Sequence, residues 1–334
     1  MKPDQVNISI LILARNEAYN LSRSLPLVAN QKLQAKFEII GIDTESEDDT
    51  LGLFQKYGAR TFTVKRKDFH HVHTRLFAID QARAPLVVFL VADALPLNEY
   101  WLQNLVQPLI EDPAVGAVYS RQLPAPGCVP WEAHDIYRGG SVVREVKYVD
   151  WSQPIAIENY REHLWKFIAF SDVSSCYRKE FLRNLPIPQG LSEVEDQYWC
   201  KCLLEKGYRI VLEPTSLVVH SHNDSLSRLY RRHVTYGQCF ASFIDVQPES
   251  LRGFLFRCLQ DSVNDLFYLI GSRDERVLIR PVRAVQIPIM RFVKRLGFRK
   301  GVRRAVTARR AATPTQSQGN RKESELVTNH PNKE

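Results

Sequence analysis

The chain of 334 residues has no hydrophobic run long enough to cross a lipid bilayer. Its longest apolar stretches, residues 8–14 and 85–92, have the length of buried strands. A secretory signal is also missing, since Asp4 precedes the first apolar run, Arg15 follows it, and no small-residue cleavage site is present. We therefore expect a cytoplasmic protein. The 44% of hydrophobic residues suffices for one large core or two modest ones, which excludes a disordered chain.

Paired cysteines are missing as well. The six cysteines form no C-x-x-C pair and no metal-ligand spacing, and Cys200 and Cys202 are too close together for an ordinary disulfide. This pattern predicts reduced thiols, as in cytosolic proteins.

Apolar and amphipathic segments alternate through the first half of the chain. Strands are predicted at residues 7–14, 37–43, 60–64, 86–91 and 115–120, with helices between them such as 49–57 and 100–110. This order predicts an α/β fold with a mostly parallel sheet, whose ligands bind at the carboxyl ends of the strands. Those ends carry Arg15, Asn16 and Glu17, then Asp43, then Ala92 and Asp93. A dinucleotide-binding fold is disfavoured, because residues 14–18 contain no glycine.

A pair of acids stands at the start of a later helix. Ser192 and Glu195 have capping-box spacing before an amphipathic segment that ends at Gly207, which puts Asp196 in the first helical turn. There the helix dipole favours the ionised carboxylate, the form that a general base needs. Alternatively, Glu195 and Asp196 only complement the dipole.

Acidic residues are missing between Glu275 and Glu323, whereas arginine and lysine are frequent there, within a net charge of +8. Ile287, Ile289, Phe292 and other apolar residues alternate with these cations, as in a helix that lies on an anionic membrane. A solvated basic face and a nucleic-acid contact are the alternatives, and nucleic acid is the least favoured. From about residue 247, apolar residues at helical spacing predict helices that pack beside the α/β domain.

Four segments in order resemble the signatures of family-2 glycosyltransferases with the GT-A fold. They are SILILARNE (9–17), IDTESEDDT (42–50), FLVADALP (89–96) and Glu195 with Asp196. Within that family the chain looks most like the bacterial rhamnosyltransferase branch, through SRQLP (120–124), Ser171 with Ser175, EDQYW (195–199) and HSH (220–222). The resemblance implies a GT-A catalytic domain at 1–245. The apolar spacing and the cations predict a helical basic extension at 246–310, and the polar composition predicts a disordered tail at 311–334.

The resemblance also implies site residues. Those expected to bind the nucleotide-sugar donor are Arg15, Asn16, Glu17, Asp43, Arg75, Ala92 and Asp93. Asp43 is expected to accept hydrogen bonds from the base or ribose, or else it is only a turn residue. Asp93 matches the last acid of the D-x-D motif and is expected to bind Mg²⁺ or Mn²⁺, although Val91 replaces the first acid. The alternative is that Asp93 is only an acidic residue of the loop before Pro96 and binds no metal.

Histidines and arginines complete the implied site. His220 is expected to complete the metal site, unless it is only structural, and His222 is a weaker candidate. We interpret His70, His71 and His73 as loop residues. The expected contacts with acceptor or diphosphate are Arg121, Gln122, Glu195, Arg231 and Arg232. For Arg231 and Arg232, a solvated helix face is the alternative.

These roles predict an inverting glycosyltransferase with Asp196 as the general base. Its expected partners are a nucleoside-diphosphate sugar, with rhamnose as the branch's usual sugar, and a saccharide or lipid-linked acceptor in cell-surface polysaccharide synthesis. We expect peripheral contact with the inner membrane face and no nucleic acid. A non-catalytic nucleotide-sugar-binding protein and a basic membrane-surface adaptor are the competing functions.

Overall fold

A computed structural model describes residues 6–271 and 280–312 of the chain. Nine strands in these residues form one mixed sheet. The strands are β1 (Ile8–Ala14), β2 (Phe37–Asp43), β3 (Arg60–Thr63), β4 (Leu86–Leu90), β5 (Leu95–Pro96), β6 (Val115–Leu123), β7 (Glu145–Lys147), β8 (Ser174–Arg178) and β9 (Arg209–Val219).

Twelve α-helices in the same residues surround this sheet. They are α1 (Ala18–Ala29), α2 (Thr50–Lys56), α3 (His71–Gln81), α4 (Trp101–Glu111), α5 (Pro130–Gly139), α6 (Pro154–Glu162), α7 (Leu164–Phe167), α8 (Lys179–Arg183), α9 (Glu195–Glu205), α10 (Leu226–Phe243), α11 (Leu251–Gly271) and α12 (Arg280–Ala312). None of the helices described is long and apolar enough to cross a membrane.

The strand order is β3-β2-β1-β4-β8-β6-β9-β5, and β7 pairs with β9. The pairs among β1, β2, β3 and β4 and the pair of β6 with β9 are parallel. In contrast, β8 is antiparallel to both β4 and β6. The predicted α/β fold with a mostly parallel sheet is confirmed, and the antiparallel β8 brings residues 171–175 beside the carboxyl end of β4.

The alternation of side chains along β1 explains the two cores. Ile8, Ile10 and Ile12 lie in one hydrophobic cluster with Trp101 of α4, whereas Leu11 lies in the other cluster with Trp199 of α9. Successive strand residues point to opposite faces, so this sheet is buried on both sides. Its chemistry is therefore confined to the edges where strands end.

The strand β6 is longer than the sequence predicted. It continues through Leu123, with a register shift between Ser120 and Arg121 in its pairing with β9. The predicted end at residue 120 is therefore wrong, because pairing with β9 extends a segment that the apolar pattern leaves at Ser120. Arg121 and Gln122 consequently lie on a strand.

The helices α11 and α12 pack against the rest of the protein through a small third cluster. Val129, Trp131, Leu229, Leu269 and Ile287 are among its buried members. This arrangement agrees with the prediction that the chain after residue 247 is helical. The predicted domain boundaries stay a prediction, and residues 313–334, expected to be disordered, lie outside the described residues.

A buried ion network supports the same docking. The Arg291 guanidinium of α12 bonds both carboxylate oxygens of Asp265 at 2.5 and 2.6 Å and Asp135 of α5 at 2.8 Å. Because Asp265 is fully buried and Arg291 is 3% exposed, removing either partner leaves an uncompensated charge.

Candidate active site

Asp43 ends β2 at the carboxyl edge of the sheet and is 4% exposed. Its Oδ2 accepts a hydrogen bond from the Ser46 backbone N–H at 3.3 Å. Its Oδ1 is buried and has no hydrogen-bond partner within the described part of the chain. A buried carboxylate oxygen without a partner is costly, and a ligand with N–H or hydroxyl donors would satisfy it.

The loop after β1 is tied to the loop after β2. Asn16 has a φ of 53°, its N–H donates to Ser46 Oγ at 2.9 Å, and its Oδ1 accepts from the Glu47 N–H at 2.8 Å. Asn16 thus holds the two loops together. Burial raises the pKa of Glu17, the hydrogen bond from Asn20 opposes this shift, and the nearby Asp93 adds to it.

A cavity of about 420 Å³ opens between these loops and α3. Its lining includes Leu11, Leu13, Ala14, Arg15, Thr44, Arg66, Phe69, His71, Arg75, Phe89, Leu90, Val91 and Asp172. The Arg15 Nε is buried without a hydrogen-bond partner among the described residues. Apolar walls with a few convergent polar groups are typical of small-molecule sites. We call this space the donor cavity.

Three potential metal ligands lie together beyond β4. Asp93 follows this strand, while His220 and His222 follow β9, and one ligand atom from each lies within 4.8 Å of the other two. His220 Nε2 is 3.6 Å from Asp93 Oδ1, and His222 Nδ1 is 3.8 Å from Asp93 Oδ2. One carboxylate and two imidazoles form a donor set that suits Mn²⁺ better than Mg²⁺. These residues therefore fit a divalent metal.

Gln122 orients His220. Its Oε1 lies 3.3 Å from His220 Nδ1, while its amide nitrogen donates to Ser171 Oγ at 2.9 Å. With Nδ1–H donating to Gln122, the lone pair of Nε2 is directed to the Asp93 side. Burial lowers the pKa of His220 to about 4 against the attraction of Asp93, so the ring is neutral, as a metal ligand must be.

Arg75 joins two buried carboxylates at the centre of the site. Its Nη1 donates to Asp172 Oδ2 at 2.7 Å and lies 2.8 Å from Glu195 Oε1. Asp172 also accepts hydrogen bonds from Ser175 and Tyr177, at 2.5 and 2.7 Å. Burial disfavours the Glu195 anion, but Arg75 and His71 outweigh it and lower the pKa of Glu195 to about 2.

Asp196 lies beside this network, in the first turn of α9. Its Oδ2 accepts from the Asp172 N–H at 3.2 Å, and its Oδ1 accepts from the Gln197 N–H at 2.8 Å. Burial raises the pKa of Asp196 to about 8, and the Asp172 and Glu195 carboxylates add to the shift. The expectation that the helix dipole keeps Asp196 ionised is therefore wrong for the free protein, because two like charges and burial outweigh the dipole.

A second cavity of about 540 Å³ contains Asp93, His220, His222, Glu195 and Asp196 in its lining. It shares His71, Arg75, Val91 and Asp172 with the donor cavity, so the two spaces form one cleft. We call the second space the acceptor cavity. Asp43 lines neither cavity, although the adjacent Thr44 lines the donor cavity; Asp93 and Asp196 line the acceptor cavity.

The remaining predicted residues divide into two groups. Gln122 and Arg232 line the acceptor cavity, and Arg232 pairs with Asp224 at 2.9 Å. Arg231 is exposed on α10, and Arg121 is half-buried on β6; neither lines the two cavities. Ala92 is buried, and its carbonyl oxygen accepts from Ser24 Oγ at 3.3 Å.

The helices near the site begin differently from the prediction. Val194, with φ of 59°, is the N-cap of α9, whereas the Ser192 hydroxyl lies 3.3 Å from Cys239 Sγ. The capping box is therefore wrong. The interpretation as loop residues is also wrong for His71 and His73, which lie in α3; it holds for His70, the extended N-cap residue, whose Nδ1 accepts from the His73 N–H at 3.4 Å.

Sequence reasoning missed Asp172 and His71. Asp172 follows the motif residue Ser171 but has no helix-cap or strand-end signal, and its role depends on the long-range pairing of β8. His71 Nδ1 lies 2.9 Å from Glu195 Oε1, a contact that joins α3 to α9. For Asp172, the available signal was its place inside the segment from Ser171 to Ser175.

Comparison with solved structures identifies the fold of this chain. A mannosyltransferase from Pyrobaculum calidifontis, solved in complex with GDP-mannose and Mn²⁺, aligns with 92% of this chain and 89% of its own, with a TM-score of 0.57 and 17% identity. That likeness shows the fold, which is the GT-A fold of glycosyltransferases.

The chain belongs to glycosyl transferase family 2, whose model matches residues 9–185, more than half of the sequence. Two curated relatives are O-antigen chain rhamnosyltransferases, RfbN of Salmonella typhimurium and WbaN of Salmonella anatum. Each is 26% identical over 60% of this chain, and the chain matches 62% and 61% of their lengths, less than two thirds. Within the family the chain resembles the rhamnosyltransferase branch, as predicted.

Proposed function

We propose that this protein is an inverting glycosyltransferase that moves a sugar from a nucleoside diphosphate to a hydroxyl group of a saccharide or lipid-linked acceptor. The observation that carries the proposal is the single cleft in which the donor cavity joins the acceptor cavity at Arg75 and Asp172. A candidate metal site and a candidate base line the same space. Such a cleft would hold the donor and the acceptor together at the bond that breaks.

The donor side supports a nucleotide sugar. Asp43 Oδ1 and Arg15 Nε are buried polar atoms without partners in the described chain, one an acceptor and the other a donor. Asp43 would accept from the base or ribose, and Arg15 would donate to a diphosphate oxygen. The rhamnosyltransferase relatives favour a rhamnose donor such as dTDP-rhamnose. Hexose, galactofuranose and amino-sugar donors remain in the test panel, because a few cleft contacts decide among them.

Asp93, His220 and His222 would hold a divalent cation, with Mn²⁺ favoured over Mg²⁺ by the two imidazoles. When bound, such an ion neutralises charge on the leaving diphosphate. The mannosyltransferase with the similar fold was solved with Mn²⁺. Gln122 would hold the His220 ring in its orientation through the contact between its Oε1 and His220 Nδ1.

Asp196 would act as the general base. The acceptor hydroxyl oxygen attacks the anomeric carbon from the face opposite the nucleotide, its proton passes to the Asp196 carboxylate, and the bond from the anomeric carbon to the phosphate oxygen breaks. The diphosphate leaves with the electron pair. One displacement inverts the anomeric configuration and needs no covalent nucleophile. Asp172 and Glu195 make Asp196 more basic than an isolated carboxylate.

The acceptor is proposed to belong to cell-surface polysaccharide synthesis, as the names of the curated relatives suggest. A lipid-linked saccharide at the inner face of the membrane fits the cationic α12, which contains no acidic residue. The protein would then be cytoplasmic and peripheral.

Release of nucleoside diphosphate from a panel of nucleotide sugars, with Mn²⁺ or Mg²⁺ and a saccharide acceptor, tests the proposal. We expect the wild-type protein to release the diphosphate from one donor and Asp93→Asn to lose this release. Asp196→Asn should bind the donor, by thermal shift, yet turn over roughly two to four decades more slowly. Asp80→Asn, an exposed site on α3, serves as the matched control. Donor binding without release by the wild type would favour the non-catalytic binding protein.

A further inference from the structure

The apolar residues of α11 face outward. Seven of them at helical spacing are between 39% and 71% exposed: Leu251, Leu255, Phe256, Leu259, Val263, Phe267 and Ile270. The residues of α11 that pack inward are Phe254, Cys258, Ser262, Asp265 and Leu269. The apolar spacing after residue 247 predicts helices that pack beside the catalytic domain. The inward residues of α11 are buried, as that prediction requires, whereas the seven outward residues are not.

The charges of α11 have the opposite arrangement. Its two acids point into the protein, where Asp265 pairs with Arg291 and Asp261 accepts from Arg295 Nε at 2.7 Å. Its exposed charged residues are Arg252 and Arg257, both cations. A helix that buries its acids and exposes its apolar residues and arginines is unsuited to face water alone.

The outward side of α12 continues this pattern. Val282, Val285, Ile289 and Phe292 are between 42% and 68% exposed. The Phe292 ring packs on Phe254, an inward residue of α11, at a centroid distance of 5.3 Å, so the two helices are in contact beside their exposed rows. Further along α12, Lys300, Arg303, Arg304, Arg309 and Arg310 are exposed. We call the eleven exposed apolar residues of α11 and α12 the apolar face.

We propose that the apolar face docks on the surface of an anionic lipid bilayer. An interfacial helix pair needs apolar side chains for the boundary between headgroups and acyl chains and cations for the lipid phosphates. Exposed acids, which anionic lipids would repel, are absent from both helices within the described residues. A second copy of the chain is a poorer partner, because pairing two such faces brings cations together.

A cavity beside α11 and α12 links the docking proposal to the catalytic cleft. A third cavity of about 700 Å³ is lined by Arg257 of α11, Phe298 and Arg299 of α12 and Trp165 of α7, among others. It shares Asp135, His233 and Lys294 with the acceptor cavity. The third cavity therefore adjoins the acceptor cavity, on the side where α11 and α12 pack. This link rests on the proposed function, whereas the docking itself does not.

Vesicle cosedimentation of the full chain without any nucleotide sugar tests the docking. Vesicles of phosphatidylethanolamine with phosphatidylglycerol are compared with vesicles of phosphatidylcholine alone. We expect binding to the anionic vesicles that weakens as salt is raised. The double variant Leu259→Asp with Phe267→Asp should lower the bound fraction at least tenfold. Ile155→Asp, at a 78% exposed apolar residue on α6, should leave it unchanged.

A second double variant and a test of folding separate the loss of apolar area from added charge and from unfolding. Leu259→Ser with Phe267→Ser removes apolar area without adding charge, and it should also weaken binding. Circular dichroism and the thermal shift with nucleotide sugar check that each variant is folded. Equal binding of wild type and both double variants would overturn the proposal. So would a wild type that ignores anionic vesicles, or a concentration-dependent dimer that either double variant abolishes. Loss of transfer with intact vesicle binding would count against the proposed function alone.

Discussion

Asp196 carries its proton more tightly than an isolated aspartate because of where it sits. Burial, the Asp172 carboxylate and the Glu195 carboxylate raise its pKa to about 8, and Arg75 opposes the shift. A base of this kind gains competence as the pH rises toward 8. The same surroundings that raise the pKa of Asp196 also destabilise the folded state when its carboxylate ionises.

The pH dependence of thermal stability can detect this destabilisation. The folded pKa of about 8 lies above the value near 3.9 of an unfolded aspartate, so the stability linked to this proton is present below about pH 4 and lost as the pH rises through 8. Asp196→Asn keeps a neutral group at every pH. We expect its Tm advantage over the wild type to grow from pH 4 to 8, reaching about 2–5 °C, and then to level off.

Thermal unfolding of both ligand-free proteins between pH 4 and 9 measures this difference. Asp80→Asn provides the baseline, since Asp80 is an exposed acid. A Tm difference that stays flat, or that shrinks as the pH rises, would contradict the assigned surroundings of Asp196.

Gln122 is a residue whose role is visible only in its contact with His220. If it fixes the orientation of His220, Gln122→Ala should weaken Mn²⁺ binding by roughly 10- to 100-fold, as loss of a residue that supports a metal ligand does. Calorimetric titration with Mn²⁺ measures this effect, and Gln122→Glu, which keeps an acceptor for Nδ1–H, should restore most of the affinity. Unchanged Mn²⁺ affinity in Gln122→Ala would show that His220 does not depend on this hydrogen bond.

At the scale of elements, α10 and α12 approach each other through glycines. A Cβ on Gly301 would overlap the Val234 carbonyl oxygen of α10, and a Cβ on Gly237 would overlap the Phe298 carbonyl oxygen of α12. Only the absence of side chains at these positions allows the two backbones to pack so closely. The position of α12, and with it the apolar face, depends on this contact.

Gly301→Ala should therefore destabilise the protein by about 1–3 kcal/mol, because the added methyl group forces the helices apart. Gly139→Ala near the end of α5 is the matched control, since a Cβ there meets nothing within 4 Å. Urea unfolding of both variants measures the difference. Equal stability of the two variants would mean that α12 is not held against α10 in this way.

Some bounds of strands and helices could be predicted from the sequence, and others could not. The bounds of β2 were predicted to the residue, because a local apolar run ends at Asp43. The starts of α3 at His71 and of α9 at Glu195 were not predicted. Their N-caps are His70 and the left-handed Val194, and neither residue type is a standard N-cap signal. The direction of the apolar side of α11 was also hidden. Apolar spacing predicts a helix, but it does not say whether that side meets the core.

The candidate site was predictable where the chain marks strand ends. Asp43 and Asp93 follow apolar strands, and Asp196 begins a helix, so their types and spacing pointed to one edge of the sheet. Asp172 and His71 were out of reach because their contacts with Arg75 and Glu195 depend on tertiary packing. Arg231 and Arg232 were indistinguishable in sequence, and only the turn of α10 decides that Arg232 lines the cavity.

At the scale of the whole molecule, a GT-A catalytic domain packs against a cationic pair of helices. The net charge of +8 is concentrated at the carboxyl-terminal end, while the site is built from acids at the carboxyl edge of the sheet. Arg291 is the principal ionic link between these parts, through Asp135 and Asp265. Under the two proposals, this division of charge separates membrane docking from the chemistry of transfer.

The anomeric configuration of the product is the most direct test of the proposed transfer. The wild-type protein is incubated with Mn²⁺, a saccharide acceptor and the donor that thermal shift selects, and the product is examined by NMR. The account predicts a glycosidic bond of inverted configuration, with almost none formed by Asp196→Asn. A product of retained configuration, or normal transfer by Asp196→Asn, would contradict it.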